Sequence, residues 1–208
     1  ETFVHRWLQG TLAGATPDVE GDEQLSPAGF TWWAMHAWAL AGVGRTESLA
    51  RNLRDRGVAE LAAVDASYNW LMAVVGVAVA ASSAGDPAWA RAAHDALAPY
   101  SGRNCVMGYA AYLGAVDHHL GTLAAVLGRP DEAVEHLGAA LERHRTIEAR
   151  PWVALSAAWA ANVLAERDGP GDAERSASLY AEASAVAAEL DMRSLPAPHA
   201  RLTRPALG

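Results

Sequence analysis

Residues 114–141, GAVDHHLGTLAAVLGRPDEAVEHLGAAL, limit the folds open to this chain more than any other stretch. Leu120, Gly121 and Ala124 lie at i, i+1 and i+4 of one apolar run, and Ala133, Leu137 and Ala140 at i, i+4 and i+7 of the next. Both spacings place small residues on one helical face, so two helices can cross there with their axes close together. Gly128 tolerates the left-handed backbone that ends a helix. Pro130 suits the first position of a new helix, with Asp131 and Glu132 favourable in its first turn. The segment reads as a helix stop followed at once by a helix start.

Similar breaks occur at Gly44-Arg45-Thr46-Glu47, Gly85-Asp86-Pro87-Ala88 and Gly169-Pro170-Gly171-Asp172. The leading glycines are separated by 41, 43 and 41 residues. This regularity predicts helices near 26–42 and 45–56, 66–83 and 86–99, 109–127 and 130–147, and 151–167 and 172–190. The hairpins then span about 26–56, 66–99, 109–147 and 151–190. An extra helix near 2–13 packs on the first pair, as the second half of a hairpin whose partner lies upstream. Small-residue crossings at a fixed period resemble tetratricopeptide repeats, although the period exceeds their usual ~34. The expected fold class is all-α: a tetratricopeptide-like solenoid of about four antiparallel hairpins, one domain over 1–195 with an irregular tail at 196–208. Residues 16–27 read as an acidic loop.

Composition narrows this further. The chain is 51% hydrophobic and rich in alanine. No alternating Val/Ile/Thr run is bounded by hairpin turns, so no strand is expected. The most apolar stretch, 70–81, is too short to span a bilayer, and no signal-peptide pattern precedes it. The chain begins with Glu1 and ends in a loose Pro/Arg tail, which leads us to expect a piece of a longer protein. All 16 basic residues are arginines, which excludes lysine-dependent chemistry such as Schiff bases and phosphate-loop lysines. A net charge of −8, with arginines interspersed among acids, argues against direct nucleic-acid binding. The densest basic cluster, Arg45, Arg51, Arg54 and Arg56, reads as the solvated face of a helix. The single cysteine, Cys105, cannot form an intramolecular disulfide; it fits a reducing cytoplasm and reads as a small buried hydrophobe.

Catalytic patterns are missing. There is no phosphate loop, dinucleotide fingerprint or Gly-x-Ser-x-Gly elbow, so neither an enzyme nor a cofactor is expected. Among eight histidines, His118 and His119 point about 100° apart on a helix and cannot both face one ion. His136 and His144 stand eight apart with no acid placed to complete a ligand set, so no metal site is expected. His118 is the histidine expected to turn inward and anchor a hydrogen bond across the concave face. Eight tryptophans against two phenylalanines is unusual. The rings either fill gaps between alanine-rich helices or line an inner groove for a peptide or small apolar ligand. In the second case the contacts are Trp32, Tyr68, Tyr112, His118 and Trp159. Trp32 and Trp33 cannot face the same way, so one of them belongs near the surface.

From about residue 58 to 195 the chain resembles the C-terminal helical-repeat region of large bacterial signal-transduction ATPases, the LuxR-type transcriptional regulators and their cyclase-linked relatives. The residues that carry the resemblance are LAPYSGRN at 97–104, VDHHLGTLAAVLGRPDEA at 116–133, ARPW at 149–152 and GPGD at 169–172. The resemblance implies a cytoplasmic, non-enzymatic sensing or docking region. Its partners would be a protein or other domains of the same polypeptide; separately, a solenoid cut from a longer array leaves apolar surface at an end, which leads us to expect pairing as a homodimer there. The chain carries neither ATPase motifs nor a recognition helix after Leu195, so ATP hydrolysis and DNA binding do not transfer. Two alternatives stay open: a domain that binds a small-molecule inducer in an aromatic-lined groove, and a free-standing adaptor.

Overall fold

The structure is a computed structural model that describes residues 2–12, 29–64, 69–107, 111–193 and 195–196. The described residues are mostly helical: α1 (Thr2–Gln9), α2 (Gly29–Gly42), α3 (Thr46–Arg54), α4 (Ala59–Ala63), α5 (Trp70–Ala84), α6 (Pro87–Leu97), α7 (Val116–Val126), α8 (Pro130–Thr146), α9 (Arg150–Arg167) and α10 (Asp172–Glu189). A 3-10 turn, Ala98–Tyr100, follows α6. Strands β1 (Asn104–Met107) and β2 (Ala111–Ala115) pair antiparallel just before α7. No helix among the described residues is long and apolar enough to cross a membrane.

The helix breaks follow from local chemistry. Gly44, Gly85 and Gly128 adopt left-handed φ values of 70°, 63° and 70°, and each starts a short link that forces the next helix to run back. Asp86 caps α6, its Oδ1 accepting from the Ala88 and Trp89 amides at 2.9 and 3.0 Å. The fourth break works differently. There the left-handed residues are Asp168 and Gly171, and the Asp172 carboxylate accepts from the Gly169 amide and from Arg167 at 2.7 Å through both oxygens. That Arg167 pairing holds the Asp172 carboxyl at about 2.

Successive helices pack on one another: α2 on α5, α5 on α6 and α7, α7 on α8, α8 on α9, and α9 on α10. Small residues set the crossings. A Cβ on Gly76 would stand 2.9 Å from the Ala34 carbonyl oxygen, and one on Gly121 would stand 2.5 Å from Leu137 Cγ and 3.1 Å from the Ala133 oxygen. Leu120, Ala124, Ala133, Leu137 and Ala140 are all buried, while Gly128 is exposed at its turn. The largest apolar cluster runs from Val4 through Trp33, Trp38 and Trp89 to Leu123. Smaller clusters join α7, α8 and α9, and α8, α9 and α10.

The structure departs from the sequence reading in four places. Residues 111–115, expected in a helix, form β2, and α7 begins only at Val116. The strand is dictated from outside: Val116 donates to the Arg103 carbonyl at 2.9 Å, and Gly114 sits at φ 91° with the Trp152 ring where a Cβ would come within 2.7 Å. Second, the short helix α4 fills a stretch read as a link. Third, α1 packs on more than the first pair, because Trp7 lies 5.1 Å from Trp38 of α2 and 5.6 Å from Trp152 of α9. The amide of Arg193, beyond α10, donates to the Gln9 carbonyl at 3.0 Å. Arg56 also departs from the solvated-face reading, since its guanidinium stacks 5.2 Å from the Trp33 ring.

Candidate functional site

A cavity of about 270 Å³ lies where α2, α5, α7 and α9 face one another. Its walls come from Gly42 of α2, Val79 and Ser82 of α5, His118, His119 and Thr122 of α7, and Leu155 and Trp159 of α9. Trp7 and Leu8 of α1 close one side, and Leu195 and Pro196 another. Apolar walls with a few polar groups are typical of small-molecule sites. Thr122 Oγ1 donates to the His119 carbonyl at 2.9 Å, and Ser82 Oγ donates to Thr122 Oγ1 at 3.1 Å, tying α5 to α7 at the wall.

Behind the wall a chain of hydrogen bonds sets His118. The Ala115 amide donates to His144 Nε2 at 2.9 Å, so that nitrogen is an acceptor and the proton of neutral His144 sits on Nδ1. Nδ1 lies 3.0 Å from Ser156 Oγ and donates to it. The serine hydroxyl proton then goes to His118 Nδ1, 2.9 Å away, which leaves the His118 proton on Nε2. His119 is fixed separately, its Nε2–H donating to the Leu113 carbonyl at 2.8 Å. Burial drives all three rings toward the neutral form: His119 and His144 fall to about 4, and His118 is held well below its ordinary value, with His119 and His144 adding to the effect. Ser156 is fully buried between two histidines, so it positions His118 and presents no nucleophile to the cavity.

Trp152 is the hub of this wall. The rings of His118, His119, His144, Tyr112 and Trp7 stand 5.2–6.1 Å from it. Tilted and edge-to-face contacts of this kind add to plain area burial and make the wall stiff.

Of the five residues expected to contact a ligand or partner in an inner groove, His118 and Trp159 stand in the wall of this cavity. Tyr112 stands behind the wall, its ring 6.1 Å from Trp152 and its hydroxyl donating to Asn104 Oδ1 at 3.3 Å. Trp32 points outward and is 52% exposed, whereas Trp33 is buried. Tyr68 lies outside the described residues. Sequence reasoning missed Trp7, Ser82, Thr122 and the His144–Ser156 relay. Ser82 and Ser83 in an otherwise apolar helix, and Thr122 one turn after His118, were the available signals; the relay joins residues up to 41 apart and left none.

His136, read as having no acid placed to complete a ligand set with His144, has two acids beside it. His136 Nδ1 donates to Asp117 Oδ1 at 2.9 Å, and Glu132 lies one turn before His136 on α8. The Asp117 carboxylate also accepts from Ser101 Oγ and the Gly102 amide, and these bonds outweigh its burial and hold it at about 2. Cys105 is fully buried and its thiol is pushed up to about 12. No family model, curated protein or solved structure matches the chain.

Proposed function

We propose that this chain is a tetratricopeptide-like sensing module whose inner face takes one small, largely apolar molecule carrying a polar group. The observation that carries the reading is the 270 Å³ cavity, walled by α2, α5, α7 and α9 and bordered by α1 and Leu195-Pro196. Its volume lies just under the ~300–1,000 Å³ range of small-molecule sites. In this reading Trp159, Val79 and Leu155 supply apolar contact, while His118 offers an N–H donor of fixed tautomer and the Ser82–Thr122 pair offers hydroxyls. An uncharged site of this kind favours a neutral ligand over an anion.

The resemblance to the helical-repeat region of LuxR-type regulators supports the same role. There the module acts in the cytoplasm without catalysis, and occupancy is passed to other domains or to a second copy. Trp7 and Leu8 line the cavity, so a bound ligand would touch α1 directly, which links occupancy to the position of α1.

Native mass spectrometry of the chain purified from its own host tests the proposal, with a retained small molecule expected. Trp159→Ala should then abolish retention while leaving the far-ultraviolet circular dichroism unchanged. Retention of a protein with no small molecule would support the second reading, a docking surface, which the 52% exposed Trp32 favours. Retention that survives Trp159→Ala would sink the assignment of this cavity.

A further inference from the structure

We propose that His94, Glu132 and His136 form a binding site for a single divalent transition-metal cation of the zinc class, joining α6 to α8. The site is separate from the cavity and does not depend on the sensing role. One ligand atom from each of the three residues lies within 4.8 Å of the other two.

Three features of the cluster suit a cation. First, Glu132 and His136 are one turn apart on α8, so both side chains leave the same face of that helix, and His94 meets them from the last turn of α6. Second, His94 Nε2 is buried and without a hydrogen bond: it lies 2.9 Å from Glu132 Oε1 but makes no directional bond to it, and the side chain is only 9% exposed. A nitrogen and a carboxylate oxygen at that separation and out of line are arranged like two ligands of one ion. Third, the imidazole of His136 is oriented from behind. Its Nδ1 is committed to Asp117, which is itself held by Ser101 and Gly102, so Nε2 is the nitrogen that His136 has to offer. A carboxylate behind a ligating histidine is the usual means by which metal sites fix tautomer and ring direction.

Two imidazoles and one carboxylate form the donor set of zinc-type sites with three protein ligands and an open fourth position. Arg129 stands 3.3 Å from Glu132 Oε2, which leaves Oε1 on the side of His94. Bonds of about 2.0–2.1 Å would place tetrahedral ligands roughly 3.3 Å apart. The His94 Nε2–Glu132 Oε1 separation of 2.9 Å is shorter than this, so capture parts these two atoms slightly, a movement that the rotatable Glu132 side chain supplies.

The test is calorimetric titration of chelator-treated full chain with zinc sulfate, followed by thermal melting. One equivalent of zinc should bind, and Tm should rise by roughly 5–10 °C at a hundredfold excess over Kd. His94→Gln, Glu132→Gln and His136→Gln should each weaken binding at least tenfold, and Asp117→Asn by about 10–100-fold. His5→Gln, at an exposed position of α1, should leave binding unchanged. In place of zinc, cobalt(II) should give visible d–d bands in the native chain that disappear in Glu132→Gln. Absence of saturable binding in the native chain overturns the proposal, and so does binding of native strength in the folded Glu132→Gln and His136→Gln variants.

Discussion

A Cβ on Gly121 would meet Leu137 Cγ at 2.5 Å, and one on Gly114 would meet the Trp152 ring at 2.7 Å. The two glycines differ in how the constraint arises. Gly121 sits on a helical face whose other members, Ala124 in its own helix and Ala133 and Ala140 in the next, already announce a close crossing, so its role is legible in the sequence. Gly114 is constrained by a ring 38 residues later and by a φ of 91° that only a glycine adopts without strain. Nothing near it in sequence signals either. Gly121→Leu and Gly114→Ala should each lower stability by about 1–3 kcal/mol, the first through overpacking and the second through backbone strain added to overpacking. Urea unfolding should show lower midpoints with an unchanged slope in both variants.

Among the elements, α7 does the most, because adjacent residues on it serve opposite neighbours. Asp117 turns to His136 of α8, while His118 and His119 turn toward the cavity wall and Trp152. Sequence spacing predicts that adjacent helical residues diverge by about 100°, but it does not say what stands on either side. The consequence for pH follows from His119 and His144, which ionise at about 4 when folded and near 6.5 when unfolded. Between those values the unfolded chain holds more protons, so stability is full above about pH 6.5 and falls as pH drops toward 4. His136 acts in the opposite sense. The Asp117 hydrogen bond raises it, and that stabilisation is present at low pH and lost as pH rises through its folded value. Two depressed rings, joined by His118, outweigh one raised one. Urea midpoints should therefore hold above about pH 6.5 and decline from there to pH 4.5, with a shallower decline in His144→Gln. A flat profile would mean that the buried rings are not neutral.

Across the molecule, burial is uneven. The largest apolar cluster lies in the first two thirds of the chain, whereas α10 buries only Asp172, Ala183 and Ala187. α5 buries nine of its residues and α7 nine. Hydrogen exchange should be slower in α5, α7 and α9 than in α10, since local opening of α10 exposes little apolar surface. Equal protection in α5 and α10 would contradict this ordering.

Apart from α4 and the start of α7, the helices, their breaks and the close crossings at Gly121 and Ala133 were determined by the sequence alone, because periodicity, left-handed glycines and proline at a first helical turn act within a few residues. The β1–β2 pair escaped the sequence reading because what holds residues 111–115 extended lies outside them, Arg103 on one side and Trp152 on the other. The cavity, the Ala115–His144–Ser156–His118 relay and the meeting of His94 with Glu132 and His136 were decided only in the tertiary structure. Each joins side chains from different helices, and its chemistry depends on distances of about 3 Å that no spacing along one chain can specify.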